Sequence, residues 1–312
     1  MQASVCGTSH AKIILMGEHS VVYGEPAIAL PLPSVTTTAT LIFGGEGQRL
    51  TSRYYQGLVS DLPTQMMGVA KLINALTAHF QGENDAWELV IESDLPAERG
   101  MGSSAATAVA IIRAFFAAYH MELSHSQLLK WANIEEEVTH RSPSGLDAAT
   151  VSASATLFYV KGQQSQPIEM NLSATLVIAD TGIKGATKKA IAEVKKRFDT
   201  HPEETRHRLN HMGQLVEETR IALSNNDLRL LGRAMDECQA DLKFLGVSSK
   251  ALDHLVTVAK QNGALGAKLT GGGRGGCMIA LTATALGARK LAAVLKENGA
   301  TATWIQPLKG DL

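Results

Sequence analysis

The chain has 312 residues, 45% hydrophobic and 19% charged, with 29 basic against 30 acidic side chains for a formal charge of -1. That length suits two domains, and the balanced charge excludes the basic footprint of a nucleic-acid binder. Cys6, Cys238 and Cys277 are scattered and form no CxxC pair, so they read as small core residues of a protein from a reducing compartment and offer no zinc framework. The opening "MQASVCGTSHAKIILMGEHS" lacks the basic start, long apolar run and cleavage site of a secretory signal, and no later run reaches the length of a membrane span. A cytoplasmic protein with no membrane or nucleic-acid partner is expected.

In chain order, strands are expected at "AKIILM" from Ala11, "PAIALPL" from Pro26, "TTTATLIF" from Thr36 and "WELVIES" from Trp87, divided by glycine, proline and acidic turn residues. Between them Met66, Val69, Ile73, Leu76 and Phe80 recur at threes and fours, which predicts a helix over Thr64 to Phe80. A second helix, apolar nearly all round and so buried, is predicted from Ser103 to about Tyr119. The third, "SQLLKWANIEEEVTH", ends in an acidic cluster that the helix dipole disfavours, which reads either as solvated surface or as function. After "ATLFYV" come the strand "ATLVIAD" from Ala174, long helices to about Asn262, the strands "GALGAKLT" and "CMIALT", a helix near Arg289 to Asn298 and a last strand "ATATWIQPL". This order suits a split βαβ unit, with the domain boundary near residue 170: domains 1–170 and 171–312 of an α+β protein.

Several stretches carry chemistry. In "PAERGMGSSAATAVA", Gly100 and Gly102 allow close backbone approach while Ser103, Ser104 and Ala105 begin a helix whose unpaired N–H groups suit phosphate; a serine there also serves as a plain cap. The P-loop pattern is absent, and the GxGxxG match in "TGGGRGG" runs into a strand, against a dinucleotide fold. Five glycines within Gly271–Gly276 exceed what a tight turn needs and read as a second backbone wall of a nucleotide site. Pro143, Ser144 and Gly145 break the acidic helix, so Glu136 and Asp147 lie on separate elements; a carboxylate and a hydroxyl suit Mg²⁺, and Asp147 suits a proton acceptor from an alcohol. Lys12, on a strand, needs a carboxylate partner if buried and otherwise snorkels at an edge; Glu18, His19 and Ser20 follow Gly17 in a loop.

These separated motifs together resemble the GHMP-superfamily small-molecule kinases across nearly the whole chain. The segment "GEHSVVYGEPAIALPL" most resembles the mevalonate kinases, particularly the short bacterial form. The resemblance implies a two-domain GHMP kinase fold: an N-terminal α/β domain and a ferredoxin-like C-terminal domain, with ATP and substrate in the cleft between them. It implies that Glu98, Arg99, Gly100, Met101, Gly102, Ser103, Ser104 and Ala105 wrap the triphosphate, that Ser104 and Glu136 hold Mg²⁺, and that Asp147 and Lys12 are catalytic. Glu18, His19, Thr187 and Gly272 are implied on the substrate side, with mevalonate as substrate and a homodimer as a family-level expectation. Glu98 and Arg99 depart from the family's smaller residues, and Arg99 is expected to lie in solvent. The resemblance favours Glu136 over Glu135 and Glu137, because its spacing to Asp147 matches the family's.

Overall fold

The computed structural model describes residues 4–139 and 145–308, so the turn expected at Pro143 and Ser144 lies outside the described residues. In chain order the elements are β1 (Ser4–Met16), β2 (Ala27–Phe43), β3 (Gln48–Ser52), β4 (Tyr55–Leu58), α1 (Met67–His79), β5 (Trp87–Ser93), α2 (Ser103–Ala118), α3 (His125–Thr139) and α4 (Leu146–Ser152). There follow β6 (Leu157–Tyr159), β7 (Gln166–Pro167), β8 (Ala174–Asp180), α5 (Thr187–Thr200), α6 (Pro202–Asn225), α7 (Leu228–Phe244), α8 (Lys250–Gln261), β9 (Gly266–Leu269), β10 (Cys277–Thr282), α9 (Ala285–Glu297) and β11 (Ala302–Leu308). The two strands expected from Pro26 and Thr36 are one, β2. The hairpin β3–β4 was not foreseen in the pattern, because Ser52 pairs with Tyr55 across Arg53 and Tyr54, which carry none of the usual hairpin-turn residues.

The chain divides into two compact units: Met1–Lys12, Pro31–Pro96 and Gly102–Ser154 form the first, and Ile13–Leu30, Ala97–Met101 and Ala155–Leu312 the second. A single cut near residue 170 therefore does not describe the division, since the chain passes between units at 12–13, 30–31, 96–97, 101–102 and 154–155.

In the first unit β2 pairs antiparallel with β5 from Thr37 to Phe43, β3 runs parallel to β5, and β4 returns against β3. Leu41, Leu50, Trp87 and Leu89 from these strands bury into one cluster with Leu72 and Ile73 of α1, Phe115 of α2 and Ala132 of α3. Burial of this apolar surface, and not helix propensity, holds α2 in place: its residues from Ala105 to Phe116 are almost all inaccessible. A capping box sets the start of α3, where the Gln127 N–H donates to Ser124 Oγ at 3.3 Å and the Ser124 N–H donates to Gln127 Oε1 at 2.9 Å.

In the second unit four antiparallel strands lie in the order β11-β8-β10-β9. Numbered within this sheet, that is 4-1-3-2, the ferredoxin-like arrangement, with α5 to α8 inserted after the sheet's first strand. Every residue of β8 and of β10 is buried, as two central strands require. Helix starts are fixed by side chains: Asp227 accepts from Arg229 N–H and Leu230 N–H, and Ser249 and Thr284 cap α8 and α9. No helix among the described residues is long and apolar enough to cross a membrane. Cys238 and Cys277 are buried as expected, but Cys6 is exposed, on the outward-facing end of β1.

Candidate active site

In the first unit, the start of α2, the end of α3, the start of α4 and Lys12 of β1 converge. Gly102 precedes α2 with φ 75°, and a Cβ there would lie 2.9 Å from Lys12 Cγ and 3.0 Å from Val151 Cγ1. Only glycine both accepts that angle and leaves room for the lysine stem. No side chain caps α2, so Ser104 does not serve as a cap. Its hydroxyl instead donates to Glu135 Oε1. The first N–H groups of α2 thus keep their partial positive charge for an anion. Lys12 is 3% exposed, and its Nζ stands 2.9 Å from Asp147 Oδ1. Asp147 lies in the first turn of α4, where the dipole favours a carboxylate, and is 35% exposed. Lys12 thereby joins the start of α2 to the acidic side chain of α4.

Glu136 completes this group by accepting from the Ala148 N–H at 3.1 Å. Burial is the main reason its pKa rises from 4.5 to about 7; the Asp147 charge adds to the rise, the Ala148 N–H opposes it, Glu135 adds a little and Lys12 opposes. A raised carboxyl pKa means that between these two values the folded, metal-free protein holds a proton that the unfolded chain has released. Stability from this group therefore falls as pH rises through that window. In EDTA, Glu136→Gln should match the wild-type Tm at the acidic end and exceed it by several degrees above neutrality; a variant that keeps the wild-type pH slope would contradict the assignment.

In the second unit, the segment Ala97–Met101 is built against the glycine loop of residues 271–276. A Cβ on Gly271, which has φ 76°, would lie 2.9 Å from Gly100 Cα, and one on Gly276 would lie 2.6 Å from the Arg99 carbonyl oxygen. Backbone meets backbone there, leaving no room for side chains. Arg99 is not in solvent: its Nε donates to Asp180 Oδ2 at 3.0 Å and its Nη2 to the Gly182 carbonyl at 3.0 Å, with the side chain 14% exposed. Glu98 pairs at the surface with Lys184, and its carbonyl accepts from the Gly185 N–H. Met101 is buried. Glu18 is fully buried against Lys268, and His19, with φ 63°, donates from Nε2 to the Gly272 carbonyl at 3.1 Å. Burial, helped by the Lys268 charge and opposed by the Gly272 hydrogen bond, pulls the His19 pKa down to about 4, so the ring is neutral at pH 7. Thr187 opens α5 with its hydroxyl against Gly272, where a Cβ would come within 2.2 Å of Oγ1.

The structure thus groups Lys12, Gly102, Ser103, Ser104, Ala105, Glu136 and Asp147 in one unit, and Glu18, His19, Glu98 to Met101, Thr187 and Gly272 in the other. The carboxylate that meets Ser104 is Glu135, which the spacing argument passed over, while Glu136 turns to α4 and Glu137 is exposed against Asn133. Neighbouring residues on a helix diverge by about 100°, so spacing to Asp147 alone does not select the serine's partner. No group of three or more His, Cys, Asp or Glu among the described residues forms a metal cage. The donors present fit Mg²⁺, which takes one or two carboxylates and fills its remaining positions with water and phosphate oxygens.

The profile described as GHMP kinases N terminal domain matches residues 67–155, and that described as GHMP kinases C terminal matches residues 219–301. A mevalonate kinase of Thermococcus sibiricus is 34% identical over 89% of this chain and 89% of its own, and one of Pyrococcus furiosus is 34% identical over the same shares. Among solved structures, that of L. major mevalonate kinase in complex with R-mevalonate superposes with a TM-score of 0.86 at 27% identity, covering 100% of this chain and 97% of the other.

Proposed function

This chain belongs to the GHMP kinases, ATP-dependent enzymes, and from that premise we propose that it transfers the γ-phosphoryl group of ATP to the primary hydroxyl of mevalonate, giving 5-phosphomevalonate and ADP. The observation that carries the chemistry is the Lys12–Asp147 pair beside the uncapped start of α2. The choice of alcohol rests on the relatives at 34% identity, which are mevalonate kinases. Those relatives are archaeal, so the narrower likeness to a bacterial form is not supported by them.

Phosphoryl transfer proceeds through a loose transition state, and positioning and charge neutralisation supply most of the acceleration. In this reading the N–H groups of Ser103, Ser104 and Ala105 bind phosphate oxygens. Asp147 orients the attacking hydroxyl and takes its proton at a carboxylate oxygen. Lys12 holds the Asp147 carboxylate in place through their ion pair and offers its charge to the reacting oxygens. Ser104, with Glu135 or Glu136, would hold Mg²⁺, which when bound neutralises phosphate charge. On the second unit the Arg99–Asp180 pair holds the entry to the phosphate loop, and Glu18, neutral His19 and Thr187 receive the substrate. The same reading carries a cytoplasmic homodimer without nucleic-acid or membrane partners.

The test is initial rates of ADP release with mevalonate, phosphomevalonate, homoserine and galactose, each with and without Mg²⁺. Mevalonate should exceed the others in kcat/KM by at least about a hundredfold, and rates should vanish in EDTA; equal rates on another alcohol would move the assignment to that substrate. Titrating Mg²⁺ against Glu135→Gln and Glu136→Gln locates the metal ligand: the variant of the true ligand should need about tenfold more metal or more, and two unchanged titrations would remove both carboxylates from that role.

A further inference from the structure

Lys268 is one of the largest wholly buried side chains in the protein, and nothing in the reaction scheme above uses it. Its Nζ pairs with Glu18 Oε1, both side chains being 0% exposed, and also donates to the Leu269 carbonyl at 2.9 Å. A buried ion pair seldom stabilises a fold more than apolar residues of the same volume would, because both ions lose their hydration. What such a pair does well is fix a geometry. Here the geometry is unusual. His19, the residue after Glu18, has φ 63° and ψ -45°, an angle pair that side chains resist. The turn around it is closed by the Ser20 N–H on the Glu18 carbonyl at 2.7 Å and the Val21 N–H on the Gly17 carbonyl at 3.2 Å. On the other side, the Leu269 N–H donates to Gln239 Oε1 at 2.9 Å, and Gln239 Nε2 donates to Ser248 and Asp253, so the strand bearing Lys268 is itself anchored to α7 and the start of α8.

We propose that Lys268 is a positioning residue for substrate recognition: through its ion pair with Glu18 it ties the strained 17–20 turn to β9, presenting Glu18 and His19 to the alcohol substrate in one fixed arrangement. This rests on the reading that Glu18 and His19 receive the substrate. The low pKa of His19 agrees with it, since the Lys268 charge adds to burial in keeping that ring neutral, and the same charges face Cys238 of α7. Lys268 touches neither reacting atoms nor phosphate in this account, so its removal should act on substrate affinity through Glu18 and leave ATP alone.

The experiment is a double-mutant cycle on the full chain with mevalonate and ATP as varied substrates. Lys268→Met should raise KM for mevalonate about tenfold or more while KM for ATP stays within about twofold. In the Glu18→Gln background the same change should add less than about twofold, because a residue acting through Glu18 has nothing left to position. Glu18→Gln/Lys268→Gln, which leaves no buried charge, serves if the single variant does not fold; it too should show a raised KM for mevalonate alone. A folded Lys268→Met with wild-type KM, an equal effect in both backgrounds, or a double Gln variant with wild-type KM would overturn the proposal. If instead the wild-type chain forms no ADP with mevalonate, the substrate assignment itself has failed, and the two failures are distinguished by that control.

Discussion

Asp147→Asn is expected to lower kcat by about a hundredfold to ten-thousandfold while ATP affinity stays within about twofold of wild type. Asparagine keeps the size of the side chain and can still accept from Lys12 Nζ, now 2.9 Å from Asp147 Oδ1, so the local structure should persist. What it lacks is a charge and an oxygen able to take a proton. Asp147 is 35% exposed while Lys12 is almost wholly covered, so the carboxylate is the member of the pair that an incoming hydroxyl can reach. The N–H groups proposed to bind phosphate, at the start of α2, lie on a different helix and are untouched by the substitution. Steady-state kinetics together with calorimetric ATP binding separates the two quantities. Near-normal turnover would remove Asp147 from the proton path, and a parallel loss of ATP affinity would recast it as a nucleotide-binding group.

Lys12→Met should cost about a hundredfold to a thousandfold in kcat, a loss typical of removing one charge-stabilising donor, and should also lower Tm. The lysine is the cation beside two carboxylates: it pairs with Asp147, and its charge is among those that oppose the rise in the Glu136 pKa. Without it, Asp147 loses its partner and repels Glu136 wherever both are ionised, above about pH 7, and about 1–3 kcal/mol of stability should be lost there. Lys12→Arg should not restore activity, because the stem lies hard against the backbone of Gly102, and a guanidinium is wider than an ammonium. Thermal melts and kinetics on both variants check this. A fully active Lys12→Arg would show that only the charge matters and that the tight packing at Gly102 does not constrain it.

Much of this architecture was legible along the chain where local pattern and final environment agree. β5, β8 and β10 have the bounds that their apolar runs predict, and α2 begins at Ser103, where two glycines end and the alanine-rich run starts. The pattern reads β2 as two strands, with Pro33 between the runs that start at Pro26 and Thr36. Pro31 and Pro33 fall between its pairing with β6, at Ala27–Ala29, and with β5, from Thr37, clear of those two ladders, and β2 also pairs with β1. Arg99 was expected in solvent because its partner, Asp180, is 81 residues away in sequence. Lys268 escaped notice for the same reason, with Glu18 250 residues distant, although the rule that flagged Lys12, a lysine inside an apolar strand, applies to "GALGAKLT" equally. Pairing at such separations is set by tertiary packing, and no window of sequence contains both partners.

The central claim is that this chain places a phosphoryl group on the primary alcohol of mevalonate. Phosphorus NMR of a reaction containing enzyme, Mg²⁺, ATP and mevalonate tests it most directly. The account predicts a new phosphomonoester resonance growing in equal amount with ADP, split by the methylene protons of the primary carbon. Inorganic phosphate in place of that resonance, or ATP left intact with mevalonate while another alcohol is phosphorylated, would contradict it.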